Sequence, residues 1–123
     1  VTGEDPWGAE LRHLLRAAGI GVAGLLCQAQ DWATVAYVKP HRDGIEQSRL
    51  DFGDFNRLHD QKADHLIGML ADALADLDAV IINAQARAGI HSARLRDRLS
   101  ALIAAHPDRL FMVDSRHPEN QRL

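Results

Sequence analysis

Polar residues follow two apolar segments at the points where predicted strands would end. Asn83 lies near the end of the run Ala-Val-Ile-Ile-Asn-Ala, with Gln85 just beyond it, and Asp114 follows Leu-Phe-Met-Val, with Arg116 two residues further on. In open parallel sheets, ligands bind outside the carboxyl ends of the strands. Because both ends would face one rim, we expect these side chains to bind a ligand. The alternative is that Asn83 and Asp114 only cap the loops that follow them.

A second polar set lies on a predicted hairpin. Arg49 and Asp51 alternate onto one face of a strand, and Tyr37 and Lys39 share a face of its partner strand. The sequence does not determine the register that would place all four on the same face of the sheet. Arg49 and Asp51 form either an exposed ion pair, which contributes little stability, or a polar face that closes over a ligand.

The segment HRDGIEQSRLDFG, residues 41–53, contains the tripeptides His-Arg-Asp and Asp-Phe-Gly that mark protein kinases. In those enzymes an Asn five residues after the first Asp holds magnesium, but Ser48 occupies that position here. Only seven residues separate Asp43 from Asp51, and no Gly-rich phosphate loop precedes them. The sequence therefore argues against a protein kinase, and these tripeptides belong to a turn and a strand end.

Histidines are numerous, but their spacing does not predict a metal site. The chain has seven histidines and one cysteine, Cys27, and no histidine pair has the four-residue spacing with a third ligand that zinc sites use. Gly19 and Gly21 do not follow a strand, which argues against a dinucleotide-binding fingerprint. We therefore expect no metal ligands in this chain.

The first half of the chain predicts a helix, a short strand and a hairpin. Residues 5–18 have helical apolar spacing, with Asp5 as the cap, Pro6 at the first position and Gly19 as the stop. Residues 22–27 are apolar and short enough for a strand. Residues 34–39 and 45–52 have strand composition, and the Asp43-Gly44 pair between them is typical of a hairpin turn. We expect the apolar side chains of this hairpin to need cover, chiefly Val35, Val38, Leu50 and Phe52.

The second half predicts two helix-and-strand units. A helix over about 61–77, capped by Asp60, precedes the near-continuous apolar strand 79–84, whose composition suggests that both faces are covered. Ser92 caps the next helix, Pro107 follows its end, and residues 110–113 form another buried strand. The apolar stripes of the two helices are Leu66, Ile67, Leu70, Leu74 and Leu77, and Leu95, Leu99, Leu102 and Ile103. This order predicts an α/β fold: a parallel sheet flanked by helices, with an inserted β-hairpin.

Composition limits the function classes. With 123 residues and 46% apolar content, the chain fits one globular domain or part of one. The net charge of -3 argues against nucleic acid as a partner, and no apolar run is long enough to predict a membrane span. A single cysteine fits a reducing, cytoplasmic compartment. Both ends of the chain look cut, so we expect an internal piece of a longer protein.

The whole chain resembles the ribokinase/PfkB family of carbohydrate kinases. The segment GEDPWGAELRHLLRAAGI is similar to the family's Gly-x-Asp-x-x-Gly helix and the turn after it. The segment ATVAYVKPHRDGIEQSRLDFGDFN is similar to its two lid strands, and FMVDSRH is similar to its strand ending in Val-Asp-Pro/Ser-Lys/Arg. The heptose-kinase branch is nearest. The matching residues are Gly3, Asp5, Gly8, Leu11, Leu15, Gly19, Thr34, Lys39, Arg49, Asp51, Val113, Asp114, Ser115 and Arg116.

The resemblance implies a ribokinase-like fold and a function. Residues 1–123 would be an internal fragment of a ribokinase-like domain, with an α/β core at 1–21 and 54–123 and a β lid at 22–53. The longer protein would phosphorylate a sugar or sugar-like alcohol with ATP and Mg²⁺. The substrate-binding residues would be Lys39, Arg49, Asp51, Asn83, Gln85, Asp114 and Arg116, and Arg49, Asp51, Asn83 and Asp114 would line one crevice.

The resemblance also implies what this chain lacks. The family's catalytic base is an Asp in a later Gly-Ala-Gly-Asp-like motif, which is absent here, so we expect no catalytic residue in the chain and no activity from it alone. A homodimer through the lid is a further expectation. Two alternatives stay open: a non-catalytic ribokinase-like domain that binds a ligand or partner, and an unrelated small α/β binding domain.

Overall fold

The fold is mixed α/β, with three helices and small two-stranded sheets in the part of the chain that the structure describes. The structure is a computed structural model, and it describes residues 1–86 and 88–116. The chain divides into two compact units, Val1–Asn56 and Arg57–Leu123. None of the described helices is long and apolar enough to cross a membrane.

Helix α1 spans Pro6–Ala17, as its end signals predict. The Asp5 carboxylate caps it by accepting from the N–H of Gly8 at 2.8 Å, and Gly19 follows its end with a φ of 74°. Two apolar side chains of its stripe, Leu11 and Leu14, are exposed.

The predicted strand at residues 22–27 is wrong apart from its end. Only an isolated parallel bridge joins Thr2 to Cys27. The reason is local: the Leu25 N–H donates to the carbonyl of Val22 at 3.1 Å, which closes a turn in the middle of the segment. A strand cannot form across that turn.

The predicted hairpin is confirmed. Strands β1 (Ala36–Val38) and β4 (Leu50–Phe52) pair antiparallel, and so do β2 (His41–Arg42) and β3 (Ile45–Glu46) at the tip. Asp43 and Gly44 have φ values of 52° and 77°, the left-handed conformations that a type I′ turn requires. The Asp-Gly pair supplies both at low steric cost.

The hairpin is interrupted by a bulge, so residues 45–52 do not form the single strand that their composition predicts. Val38 pairs with Leu50 and His41 pairs with Glu46, which leaves two residues between the paired positions on one side and three on the other. Pro40 lies in the shorter gap and has no N–H for the ladder. Its carbonyl accepts from the N–H of Gln47 at 2.8 Å, the one backbone bond described across this gap.

Helix α2 spans Asp60–Ala73 and continues into a 3₁₀ turn, Leu74–Asp76. The prediction that Asp60 caps it is wrong by one residue, because His59 is the cap and Asp60 is the first helical residue. The His59 carbonyl begins the helix by accepting from the N–H groups of Lys62 and Ala63 at 2.9 and 3.0 Å. Asp60 still lies in the first turn, where a negative charge is favourable.

The parallel sheet is confirmed as a pair of strands. Strand β5 (Ala79–Ala84) pairs in parallel with β6 (Leu110–Ser115), and helix α3 (Ala93–Ala105) connects them. The Ser92 hydroxyl caps α3 by accepting from the N–H of Leu95 at 3.2 Å, as predicted. The helix ends before Pro107.

The expectation that both faces of this sheet are covered is wrong for the described residues. Ile82 and Ala84 are buried, but Ile81 is 71% exposed, and its register partner Met112 is 53% exposed. Leu110, predicted to be buried, is also exposed. Ile82 and Ala84 share the core of this unit with buried residues of the preceding loop and the helices, which are Leu58, Ala63, Ile67, Leu74, Leu95 and Leu99.

Two helical glycines should respond in opposite directions to an added methyl group. At Gly8 a Cβ would lie 2.6 Å from the carbonyl oxygen of Gly3 and 2.9 Å from Oγ1 of Thr34, whereas at Gly68 it would meet no atom beyond its own helix backbone within 4 Å. We expect Gly8→Ala to lower the free energy of unfolding by about 1–3 kcal/mol. Gly68→Ala should raise it by about 0.5–1 kcal/mol.

Urea denaturation measures both effects. Trp7 and Trp32, the two tryptophans, lie in Val1–Asn56, so their fluorescence follows the unit that contains Gly8. Far-UV circular dichroism reports on all three described helices, including α2, which contains Gly68. A Gly8→Ala variant as stable as the wild type would contradict the close contact.

Candidate functional site

The base of the hairpin is fixed by one carboxylate, that of Asp5. Its Oδ1 accepts from the N–H of Gly8 in α1, and its Oδ2 accepts from the N–H of Thr34 at 2.8 Å. The Thr34 hydroxyl in turn accepts from the N–H of Gly3 at 2.9 Å. Asp5 therefore joins the start of α1 to the first leg of the hairpin, whereas the sequence predicts only its capping role.

Two glycines are required where these groups meet. A Cβ at Gly3 would lie 2.2 Å from Oδ2 of Asp5, and a Cβ at Gly8 would press on Gly3 and Thr34. Both glycines are buried. The Gly-x-Asp-x-x-Gly pattern is thus explained by the close approach of backbone to the Asp5 carboxylate.

The second leg is held by Asn56, which sequence reasoning missed. Its side-chain Oδ1 accepts from the N–H of Ala33 and its Nδ2 donates to the Ala33 carbonyl, both at 2.8 Å. Gly53, with a φ of 83°, turns the chain from β4 toward Asn56. The only sequence signal is the Gly-Asp-Phe-Asn turn after the strand. We call Asp5, Thr34, Ala33, Gly53 and Asn56 the hairpin root.

The pKa of Asp5 reflects this environment. Partial burial alone raises the pKa of the carboxyl group, but hydrogen bonds from Thr34 and from the N–H groups of Gly8 and Trp7 outweigh burial and hold it below its usual value. The hydrogen bonds of the folded protein therefore favour the ionised form of Asp5.

The polar face of the hairpin consists of Tyr37, Arg49 and Asp51. Tyr37 lies opposite Asp51 in the register of β1 and β4, which the sequence could not determine. Arg49 donates from Nε to Asp51 Oδ1 at 2.6 Å and from Nη2 to Oδ2 at 2.8 Å, and its guanidinium carbon lies 4.7 Å from the centre of the Tyr37 ring. The guanidinium is thus held by a bidentate ion pair and a cation–π contact.

This face is open to solvent. The side chains of Arg49 and Asp51 are 52% and 42% exposed. The hydrogen bond from Arg49 lowers the pKa of Asp51, and the same bond raises the pKa of Arg49. Arg49 and Asp51 therefore form an exposed ion pair, which is the first of the two arrangements that the sequence allows.

Lys39 pairs with a different partner. Its Nζ lies 3.0 Å from Oε1 of Glu46, across the bulge. Among the described contacts, no hydrogen bond or ion pair joins Lys39 to Asp51.

A second polar cluster lies near the ends of β5 and β6, with Asp114 inside β6 and not after it. Asn83 and Asp114 lie side by side in the parallel register of β5 and β6. Gln85 donates from Nε2 to Oδ1 of Asp114 at 2.8 Å. The Arg116 side chain is not part of these contacts, and its backbone N–H donates to the Ala84 carbonyl at 3.4 Å. We call Asn83, Gln85 and Asp114 the strand-end cluster.

His91 supports the loop between β5 and α3, a role that sequence reasoning missed. Its Nε2 lies 3.1 Å from the Asn83 carbonyl oxygen, and its own carbonyl accepts from Nη1 of Arg96 at 2.6 Å. The imidazole is thereby close to the strand-end cluster. A lone histidine after a turn gave no sequence signal for this contact.

These groups can donate and accept hydrogen bonds. The two clusters offer carboxylate and amide oxygens as acceptors and amide and guanidinium N–H groups as donors. Within residues 1–86 and 88–116, no group of three His, Cys, Asp or Glu side chains could hold a metal ion.

A shallow depression of about 430 Å³ lies elsewhere, at the start of α1. It is lined by Asp5, Arg12 and Cys27 among others, and by none of the seven predicted substrate-binding residues. Each carboxylate oxygen of Asp5 in this depression already accepts one backbone N–H group.

The polar face belongs to Val1–Asn56 and the strand-end cluster to Arg57–Leu123. That Arg49, Asp51, Asn83 and Asp114 line one crevice stays a prediction. No family model, curated protein or solved structure matches this chain.

Stability should depend on pH through Asp5. Because its folded-state pKa lies below its unfolded value, the carboxylate stabilises the fold fully above the ordinary Asp pKa of about 3.9. This contribution is lost as the pH falls through the folded-state pKa. In Asp5→Asn the amide oxygen can still accept from Gly8, but the NH₂ group faces the N–H of Thr34 as a second donor.

We therefore expect Asp5→Asn to lower the free energy of unfolding by about 1–3 kcal/mol at neutral pH. The difference from the wild type should shrink below about pH 4. Urea denaturation followed by tryptophan fluorescence across this pH range makes the measurement. The control is Glu10→Gln, which changes an exposed carboxylate of α1 in the same unit and is expected to change stability by less than about 0.5 kcal/mol. A difference independent of pH would contradict the role of the Asp5 charge.

Proposed function

We propose that this chain contributes the substrate lid and part of the substrate-binding rim of an ATP-dependent sugar kinase. The observation that carries the proposal is the strand-end cluster. Asn83 and Asp114 are register partners at the next-to-last positions of two parallel strands, beside the carboxyl ends where open α/β folds bind ligands. The resemblance to ribokinase-like kinases supports the same location.

The cluster suits a hydroxylated ligand. A sugar hydroxyl both donates and accepts, and the Asp114 carboxylate accepts while the Asn83 and Gln85 amides can do either. Gln85 already orients Asp114 through the 2.8 Å hydrogen bond. Charge-assisted hydrogen bonds to a carboxylate are stronger than neutral ones, so Asp114 would fix the orientation of the bound sugar.

The hairpin supplies the lid in this proposal. Its polar face pairs an aromatic ring with a carboxylate and a guanidinium, so a ligand could contact Tyr37 by its apolar side and Asp51 by a hydroxyl. Ligand binding would remove water from Arg49 and Asp51, which strengthens their electrostatic contacts. Lys39 and Arg116 complete the proposed set of substrate-binding residues.

ATP and Mg²⁺ follow from the resemblance and not from a site in the described residues. The sequence has no Gly-rich phosphate loop, and the described residues hold no carboxylate group of the kind that binds a cation. The residues present do not fit either group. The nucleotide site and the catalytic base would lie in a longer protein, in the cytoplasm, and the lid's apolar face would serve a homodimer.

One feature of the sequence favours a second candidate, a non-catalytic ribokinase-like domain that binds a ligand or partner. The Gly-Ala-Gly-Asp-like motif that carries the family's base is absent from these 123 residues. A Gly-x-Gly-Asp motif elsewhere in the same reading frame would favour the kinase.

Asp51→Ala should weaken sugar binding in the longer protein. Removing the carboxylate deletes the acceptor of the sugar hydroxyl and leaves Arg49 without its partner, so we expect the KM for sugar to rise by about ten- to a hundredfold. The KM for ATP should stay nearly unchanged. Steady-state kinetics with each substrate varied in turn makes the measurement.

The matched control is Asp72→Ala, which removes an exposed carboxylate from α2 and should leave both KM values unchanged. Wild-type sugar kinetics in Asp51→Ala, or an effect on ATP instead, would reduce Arg49 and Asp51 to a surface ion pair.

The 123-residue chain alone should show no sugar-kinase turnover. General-base and anion-stabilising groups each contribute roughly 10²–10⁴-fold to the rate, and the motif that supplies both is absent. A coupled assay for ADP release with a panel of sugars tests this expectation. Substantial sugar-dependent ADP release by this chain would place the base within it and overturn the assignment.

A further inference from the structure

The bulge divides the hairpin into two parts with different support. On the side of the root, β1 and β4 form three register pairs. Beyond the bulge, β2 and β3 form two pairs around the type I′ turn. Lys39 and Pro40 face Gln47, Ser48 and Arg49 across the gap, and extra residues of this kind interrupt pairing and bend a ladder.

Both legs are anchored at the root. Thr34 is bound to Asp5 and Ala33 is bound twice to Asn56, and Thr34 and Asn56 are only 4% and 8% exposed. Moving the hairpin about this point would break three buried or half-buried hydrogen bonds.

The tip, residues 41–46, has little such support. All six residues are exposed. Apart from its own turn, the described contacts that connect it across the bulge are the ion pair of Lys39 with Glu46 at 3.0 Å and the bond from the Gln47 N–H to the Pro40 carbonyl. The side chains of the ion pair are 56% and 52% exposed, so this contact opens at low cost.

We infer that the hairpin is a two-part lid, whose tip bends about the bulge while its root and the β1–β4 pair stay in place. Arg49 lies in the bulge and is joined to the polar face by its ion pair with Asp51 and its contact with Tyr37, so the bend lies directly beside that face. The inference rests on the hairpin's own contacts and holds whether or not the ligand is a sugar.

Amide hydrogen exchange of the whole chain, followed by NMR, tests this division. Three backbone N–H groups report on it: Ala33 and Thr34 at the root, and Gln47 at the bulge. We expect Gln47 to exchange at least roughly tenfold faster than the other two, after correction for intrinsic rates. Protection of Gln47 equal to that of Thr34 would overturn the inference.

Two variants locate the bend. Deleting Ser48 leaves two residues on each side of the bulge, so the ladder between the two strands can become continuous. Amide exchange at Gln47 should then slow to the rate of the β1–β4 amides.

Lys39→Gln removes the ion pair with Glu46 without changing the bulge. It should speed amide exchange at Gln47 by about two- to fivefold while leaving exchange at Thr34 unchanged. If Lys39→Gln instead leaves Gln47 unchanged, or speeds Thr34 equally, the tip does not move separately. If the variant that lacks Ser48 does not fold, amide exchange in Lys39→Gln alone tests the inference.

Discussion

The structure of the first unit depends on the geometry around one carboxylate. Asp5 accepts from Gly8 at the start of α1 and from Thr34 at the start of the hairpin, so a single side chain fixes both elements. Each bond satisfies an N–H group that would otherwise be buried or half-buried without a partner, which is costly. The two neighbouring glycines are consequences of this arrangement, since a side chain at either would collide with it. The hairpin root therefore determines the position of the polar face, which consists of Tyr37, Arg49 and Asp51.

The second unit depends instead on the parallel register of β5 and β6. Because Asn83 and Asp114 are register partners in neighbouring parallel strands, they lie side by side on the same face of the sheet. Gln85 and His91 then fix the cluster through hydrogen bonds to Asp114 and to the Asn83 backbone. The exposed sheet face at Ile81 and Met112 shows that only one side of this sheet is covered by described residues.

Local signals account for what the sequence could predict. Asp5 and Ser92 cap helices, Asp43 and Gly44 form a type I′ turn, and the apolar run 79–84 is a strand, because each signal acts within a few residues. The features that escaped prediction depend on tertiary contacts or on the count of residues across a gap. The turn at Val22 replaces a strand, and the bulge breaks the alternation around Gln47.

The candidate site also contains some features that the sequence could predict and others that depend on tertiary contacts. The adjacency of Asn83 and Asp114 was predictable because strand ends in a parallel sheet meet at one rim. The stacking of Arg49 on Tyr37 was not, because it needs the register of β1 and β4. The Asn56 clamp on Ala33 was also missed, since an amide side chain that pairs with a backbone 23 residues away leaves no local pattern.

The claim that these polar groups bind a sugar is tested most directly by NMR titration of the ¹⁵N-labelled chain with a panel of neutral pentoses, hexoses and heptoses. We expect saturable shifts, for at least one sugar, at the amides of Arg49 and Asp51 and at those of Asn83, Gln85 and Asp114. Shifts at neither set with any sugar, or shifts confined to the depression beside Cys27, would contradict it.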